Sequence, residues 1–536
     1  MSISRLFAAL SLLGLPALPA ASGADAPIPR FAEKGGRHAL LVDGAPFLVL
    51  GGQCGNSSAW PSELPGVWAA VEGMHANTLE APVYWEQFEP QQGSFDTSIV
   101  DQMIREARAR HVRLILLWFG TWKNGSSHYM PLWMKGNPAL YTHVIGADGV
   151  PVDSPSPFCS GALDLDRNAF RHLMRHLRQA DPERTVIMVQ VENESGTWGS
   201  VRDFSPQAQR IFAQPVPGRV LAAMGSAAAK GSSWAAAFGA HADEYFHAWA
   251  VASYVGKVAA AGKEEYPLPM YTNAALRDPI SPGAASTYES GGPTDNVLPI
   301  WKAAAPALDV LAPDIYQGSG AKYRRVLELY SKADNPLIVP ETIGAARFSS
   351  MLFAAIGAGA VGWSPFGIDR AIEPGSPPRP RSEEPLQAVG IDYRILGPVA
   401  REVAALALEG RLKAVAESAE SHVQEMDFGP WKAVAKFGAP VFGFGREPKG
   451  NPEPVGGAIV GDLGGGTFLV AGRSCRVDFV PVGAPPAAHR EFLRVEEGIY
   501  DGGRFTPTRI WNGDQTDYGL NLGTAPVALR VSVRTF

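Results

Sequence analysis

Three glutamates close apolar runs of the chain, where an ionised side chain must be desolvated and is retained only if it is paired or put to use. Two belong to Val189-Gln190-Val191-Glu192-Asn193-Glu194, and the third ends Leu337-Ile338-Val339-Pro340-Glu341. Two carboxyls on facing strand ends suit the cleavage of a glycosidic bond. One keeps a proton for the leaving oxygen while the other stays ionised to attack the anomeric carbon. Placement across a barrel mouth favours the short carboxyl separation of a retaining mechanism, about 5–5.5 Å. Glu192 and Glu194 share one side of a regular strand, but a bend at the strand end breaks that parity, so spacing does not choose between them.

Eight β-rich runs are expected to position these groups, at 47–52, 77–82, 113–120, 186–192, 270–273, 310–316, 337–341 and 360–366. Helical stretches alternate with them, at 65–74, 97–110, 167–179, 233–262, 297–304, 321–332, 348–357 and 386–409. Several runs, such as Leu114-Ile115-Leu116-Leu117, are continuously apolar, as strands buried on both faces are. The fold class is therefore α/β, a (β/α)8 barrel with its catalytic groups at the C-terminal strand ends. A doubly wound open sheet is the rival, weakened because no Gly-rich turn follows the first strand. After about residue 412 the helical patterns stop. Short runs at 467–470, 476–479 and 527–533 alternate with turn residues, predicting an antiparallel β-sandwich over 413–536. The glycines of Gly461-Asp462-Leu463-Gly464-Gly465-Gly466 open no helix and read as a hairpin turn, and the Pro-rich stretch 373–385 as a long loop after the eighth strand.

The 536 residues are 46 % hydrophobic and 19 % charged, which excludes disorder and coiled coil. Lys+Arg 47 against Asp+Glu 53 leaves a net charge of −6 and no basic field for nucleic acid. Residues 1–26 carry Arg5, a short apolar run and a small-residue segment, the pattern of an export signal; a barrel over 27–412 would then be periplasmic or secreted, with no membrane span in the mature form. Cys54, Cys159 and Cys475 make no metal motif or disulfide framework and are expected as buried thiols. His172 and His176 lie four apart beside Arg171 and Arg175 but have no third ligand in view, so a solvated basic face is expected and no metal or other cofactor.

The motif Gln190-Val191-Glu192-Asn193-Glu194-Ser195-Gly196 resembles the acid/base strand of family 35 glycoside hydrolases, the retaining β-galactosidases. Asn77-Thr78-Leu79, Tyr84-Trp85 and the run from Phe88 to Asp96 are similar to that family's second-strand motif. The resemblance implies Glu194 as general acid/base, Glu341 as nucleophile and Asn193 as a ligand of the sugar 2-hydroxyl. Val495-Glu496-Glu497-Gly498 and the run from Arg509 to Thr516 resemble the sandwich appended in one bacterial branch. The chain departs at substrate contacts: Pro82 stands where the family has a tyrosine, with Tyr84 the nearby aromatic, and Ile343 replaces an aromatic after the nucleophile. Trp118-Phe119-Gly120-Thr121-Trp122-Lys123-Asn124-Gly125 replaces the third-strand motif.

Further contacts expected at the strand ends are Tyr316, Trp363 and Trp118, with Trp122, Lys123 and Glu80 nearby. The function expected is removal of terminal β-galactosyl residues from oligosaccharides. A different glycone, an endo mode and a non-catalytic carbohydrate-binding protein are the alternatives. The sandwich is expected to brace the barrel or a homodimer.

Overall fold

The structure is a computed structural model that describes residues 26–371, 379–380, 383–483, 489–501 and 503–536. Residues 1–25 of the expected export signal lie outside it. Of the Pro-rich stretch, only 379–380 and the start of the following helix, 383–385, are described.

Eight parallel strands form the ring: β1 (Val49–Gln53), β2 (Thr78–Tyr84), β3 (Arg113–Lys123), β4 (Val186–Asn193), β5 (Met270–Ala275), β6 (Val310–Ile315), β7 (Leu337–Val339 with Glu341–Thr342) and β8 (Ala360–Trp363). Every pairing between them is parallel. β1, β2 and β4 are buried along their whole length because the helices cover the outside and side chains fill the inside. Pro340 divides β7, since it has no N–H to give to a ladder. The half before it pairs with β8 and the half after it with β6, so the ring closes through this strand.

The expected helices form with two breaks. The 233–262 stretch is Trp234–Phe238 and Ala242–Glu265, parted where Gly239 takes a left-handed φ of 52°. The 386–409 stretch is Glu383–Leu396 and Ala400–Leu408, parted at a turn that contains Pro398. Before β1, Arg30–Lys34, Arg37–Val42 and Ala45–Phe47 make an antiparallel sheet against Ala400–Leu408.

The C-terminal region is two antiparallel sheets. The larger runs in the order Leu412–Ala416, Gly457–Gly464, Thr467–Arg473, Ala528–Thr535, Arg490–Asp501, Arg504–Ile510. The smaller is Val423–Asp427, Trp431–Phe437, Cys475–Pro481, Leu520–Leu522. The glycine-rich segment is the hairpin turn into Thr467, with Gly464, Gly465 and Gly466 all at positive φ. Period-two alternation gives the larger sheet two apolar faces. Ala458, Val460, Phe468, Val470 and Leu529 join the core shared with the smaller sheet. Ile459, Leu469, Ala471 and Ala528 join the core of the barrel. A buried ion pair, Arg473 to Asp392 at 3.1 Å, ties this sheet to helix Glu383–Leu396.

Candidate active site

The end of β4 is not a regular strand. Glu192 and Glu194 both adopt left-handed φ values, 60° and 44°, so the side-to-side alternation breaks twice within three residues. The cause lies in β3. Trp118 pairs with Val191 and Lys123 with Asn193, so four residues of β3 bulge out against Glu192 alone. Glu192 turns into that bulge: its Oε2 accepts the Trp122 N–H at 2.7 Å. Its carboxyl also meets that of Asp166, which accepts from Trp118 Nε1 (2.9 Å) and Thr121 Oγ1 (2.7 Å). Burial raises both acids, and two carboxyls in contact retain a proton between them. Glu192 is thus part of the scaffold outside the ring.

Glu194 lies on the other side, with Glu341 and Asp314; one carboxylate oxygen from each of the three lies within 4.8 Å of the other two. Four donors from four strand ends converge on Glu341. Its Oε1 accepts from Gln53 Nε2 (2.9 Å), Asn193 Nδ2 (3.2 Å) and Asn273 Nδ2 (3.4 Å), and its Oε2 from the Tyr316 hydroxyl (2.9 Å). Asn273 also receives the Glu194 N–H through Oδ1 at 3.0 Å and donates to Asp314 Oδ2 at 2.6 Å. Burial, then the Glu341 charge, push the Glu194 carboxyl up to about 7, with Lys123 opposing. Asp314 rises well above the carboxylate range for the same first two causes. Glu80, deeper in the ring, is neither exposed nor paired with a cation: it accepts from Tyr271 (3.0 Å) and Ser364, and burial pushes it up to about 8.

The other expected contacts divide. Tyr316 sits at the mouth, its ring edge exposed and its hydroxyl on Glu341. Trp118 does not face the site: it packs among Trp85, Phe88 and Phe170 on the helix side of β3. Trp363 also points outward, donating to the Tyr323 hydroxyl at 2.9 Å and meeting Tyr393 edge-on, so it floors no sugar subsite. Both residues fall on the outward phase of a strand, which an aromatic at a strand end does not reveal. Tyr84 is buried behind the rim, its hydroxyl accepting the Ala59 N–H at 3.1 Å, and it backs the exposed Trp60 ring. Trp122 turns to Tyr254 on the helix layer.

Several residues of the site were not expected: Gln53, Asn273, Asp314, Glu289, Trp60 and Trp198. Asn273 and Asp314 carry the same signal as Glu341, a polar group at the end of an apolar strand. Glu289 is buried with no partner on either oxygen. Trp198, four residues past Glu194 and 50 % exposed, leans on Gly125. Trp60, Phe366 and Arg370 line a cleft of about 600 Å³ whose wall begins at Gly55, two residues beyond Gln53. The basic face of helix Ser160–Ala180 is partnered rather than free in solvent, with Arg175 ion-paired to Glu265 and His176 in hydrogen-bond contact with Asp101. Cys54, Cys159 and Cys475 are buried free thiols. No helix among the described residues is long and apolar enough to cross a membrane.

An α/β barrel with acidic strand ends and an antiparallel C-terminal region is the architecture of glycosidase barrels that carry a β domain. A β-galactosidase from Marinomonas ef1 shares this fold, with a TM-score of 0.50 at 12 % identity over 67 % of this chain and 61 % of that one. One from Rahnella sp. R3 gives 0.49 at 15 % identity, over 70 % and 59 %. In sequence, 197 residues are 29 % identical to a β-galactosidase of Xanthomonas manihotis, 34 % of this chain and 29 % of that protein. The chain therefore spans under a third of the curated relative it matches. Residues 389–523 match a domain of unknown function, DUF5597.

Proposed function

We propose that this protein is a retaining exo-β-galactosidase of the family 35 type, acting on oligosaccharides outside the cytoplasm. The observation that carries the reading is the pair itself: Glu194 and Glu341, one carboxylate oxygen of each within 4.8 Å of the other, at the C-terminal end of a barrel. So close an approach supports the short carboxyl separation of a retaining pair over the wider gap by which an inverting pair admits a water. Glu341, held by four donors, attacks the anomeric carbon as Glu194 hands its proton to the departing oxygen, leaving a glycosyl ester on Glu341. Glu194, now ionised, takes a proton from water; the water oxygen attacks the same carbon and releases Glu341. Asn193 Nδ2, beside Glu341 Oε1, is placed for the sugar 2-hydroxyl. The similarity to β-galactosidases supports the glycone, and the changed third strand favours a second reading in which the mechanism stays and the sugar differs.

The test is initial rates on aryl β-galactoside, β-glucoside, β-xyloside and α-arabinoside, with NMR of the first-formed anomer. Hydrolysis of the β-galactoside with retention, lost on the order of 10⁴-fold in Glu341→Gln, is expected. Cleavage of another sugar alone keeps the mechanism and overturns the galactose assignment; inversion overturns the mechanism.

A further inference from the structure

Lys123 ends β3 inside the departure from the family pattern, and it is 3 % exposed. Asn124 and Gly125, both at positive φ, turn the chain so that Lys123 and Ser126 exchange backbone hydrogen bonds. Gly125 is fixed a second time, because a Cβ there would lie 2.5 Å from Glu289 Oε1. The bulge of β3 and this turn together return Lys123 to pair with Asn193. Its ammonium donates to Asn193 Oδ1 at 2.8 Å and to Asn124 Oδ1, and lies over the Phe119 ring, 5.1 Å from the centroid.

We propose that Lys123 is a positioning residue for the acid/base strand, an ammonium that fixes the Asn193 amide and supplies the positive charge against which Glu194 releases its proton. The inference rests on the hydrolytic reading above. An ammonium has donors only, so Asn193 must turn Oδ1 to it and Nδ2 to Glu341. Glu341 makes the same demand while it is ionised. That demand fades as its oxygen becomes an ester, whereas the Lys123 contact persists and keeps Nδ2 offered to the 2-hydroxyl. The second role comes from the company Glu194 keeps. Facing it are Glu341 from β7, Asp314 and Tyr316 from the end of β6, Glu289 from the loop after β5, and Lys123. Among the described residues, Lys123 is a cation that acts on Glu194, Asp314 and Glu289 alike, lowering the proton affinity of each.

The experiment is the pH dependence of kcat/KM for Lys123→Met, Lys123→Gln and Lys123→Arg, on whichever aryl glycoside the unaltered protein cleaves, with circular dichroism to establish folding. Glu194 must be protonated to act, so its loss of proton forms the descending limb. Both neutral variants are expected to move that limb to higher pH by about half a unit or more, while Arg holds it. kcat is expected to fall about 10- to 100-fold in Met and less in Gln, which keeps a donor for Asn193. A limb that stays put in whichever neutral variant folds overturns the inference, whatever happens to the rate. No hydrolysis of any glycoside by the unaltered protein overturns the enzymatic reading, and this inference with it.

Discussion

The mouth of the barrel and the C-terminal sheets are built by opposite rules. In the larger sheet Thr467–Arg473 and Ala528–Thr535 divide their side chains between two apolar cores, and no residue of either strand takes a positive φ. At the mouth, Glu192, Glu194 and Asn124 hold left-handed φ values that such residues seldom adopt, and Gln53 and Glu289 leave buried oxygens with no hydrogen-bond partner among the described residues. Strain and unsatisfied polarity persist only where the surroundings over-determine them. The difference indicates where this chain keeps its stability and where it concentrates its reactivity.

The largest effect should come from the mouth: Glu194→Gln is expected to lower kcat by about 10²–10⁴-fold with little change in melting temperature, read by steady-state rates and thermal unfolding. The reverse pattern should come from the junction of the two regions. Arg473→Met strands the Asp392 carboxyl, which burial already pushes up to about 6, and is expected to lose about 3–5 kcal/mol of stability while the folded fraction keeps its kcat/KM. Because Asp392 without its partner can be neutralised by a proton, denaturant unfolding should show a smaller loss at pH 5 than at pH 7.

The pH dependence of stability sharpens the contrast. Glu80 keeps its proton in the folded protein up to about pH 8, while in the unfolded chain a glutamate loses it near 4.3. Between those values the folded state binds the extra proton, so stability falls as pH rises through the window, and Glu194 adds to the fall up to about pH 7. Glu80→Gln should flatten that slope in a series of melting curves. The smallest effect is expected at the rim, where the exposed Trp198 indole lies against Gly125: Trp198→Ala should raise KM several-fold for an oligosaccharide and leave an aryl glycoside nearly unchanged, the pattern that stacking on a leaving sugar would give.

Much of the barrel was legible because continuous apolar runs such as Leu114 to Leu117 mark strands covered on both faces, and each observed ring strand overlaps an expected run. The N-terminal sheet was not, since Arg30–Lys34 is short and half exposed and follows no clear alternation. The acidic strand ends were visible as charges closing apolar runs. Which way each side chain points was not, because a bulge in β3, four residues against one, decides the direction of Glu192 by a pairing between segments some 70 positions apart in the chain. Trp118 and Trp363 fall on the outward phase of their strands and Asn273 and Asp314 on the inward phase, and an apolar run read alone does not announce which phase faces the ring.

One consequence concerns Pro340. The ring of hydrogen bonds changes partners at the residue before Glu341, so the group that must be held most steadily is mounted on the seam of the barrel. Among the hydrogen bonds that cross that seam are those to Glu341 itself, from Gln53, Asn193, Asn273 and Tyr316 at the ends of four other strands. Glu341 is therefore also a rivet: the hydrogen bonds that orient its carboxylate help fasten this strand of the barrel wall to the rest.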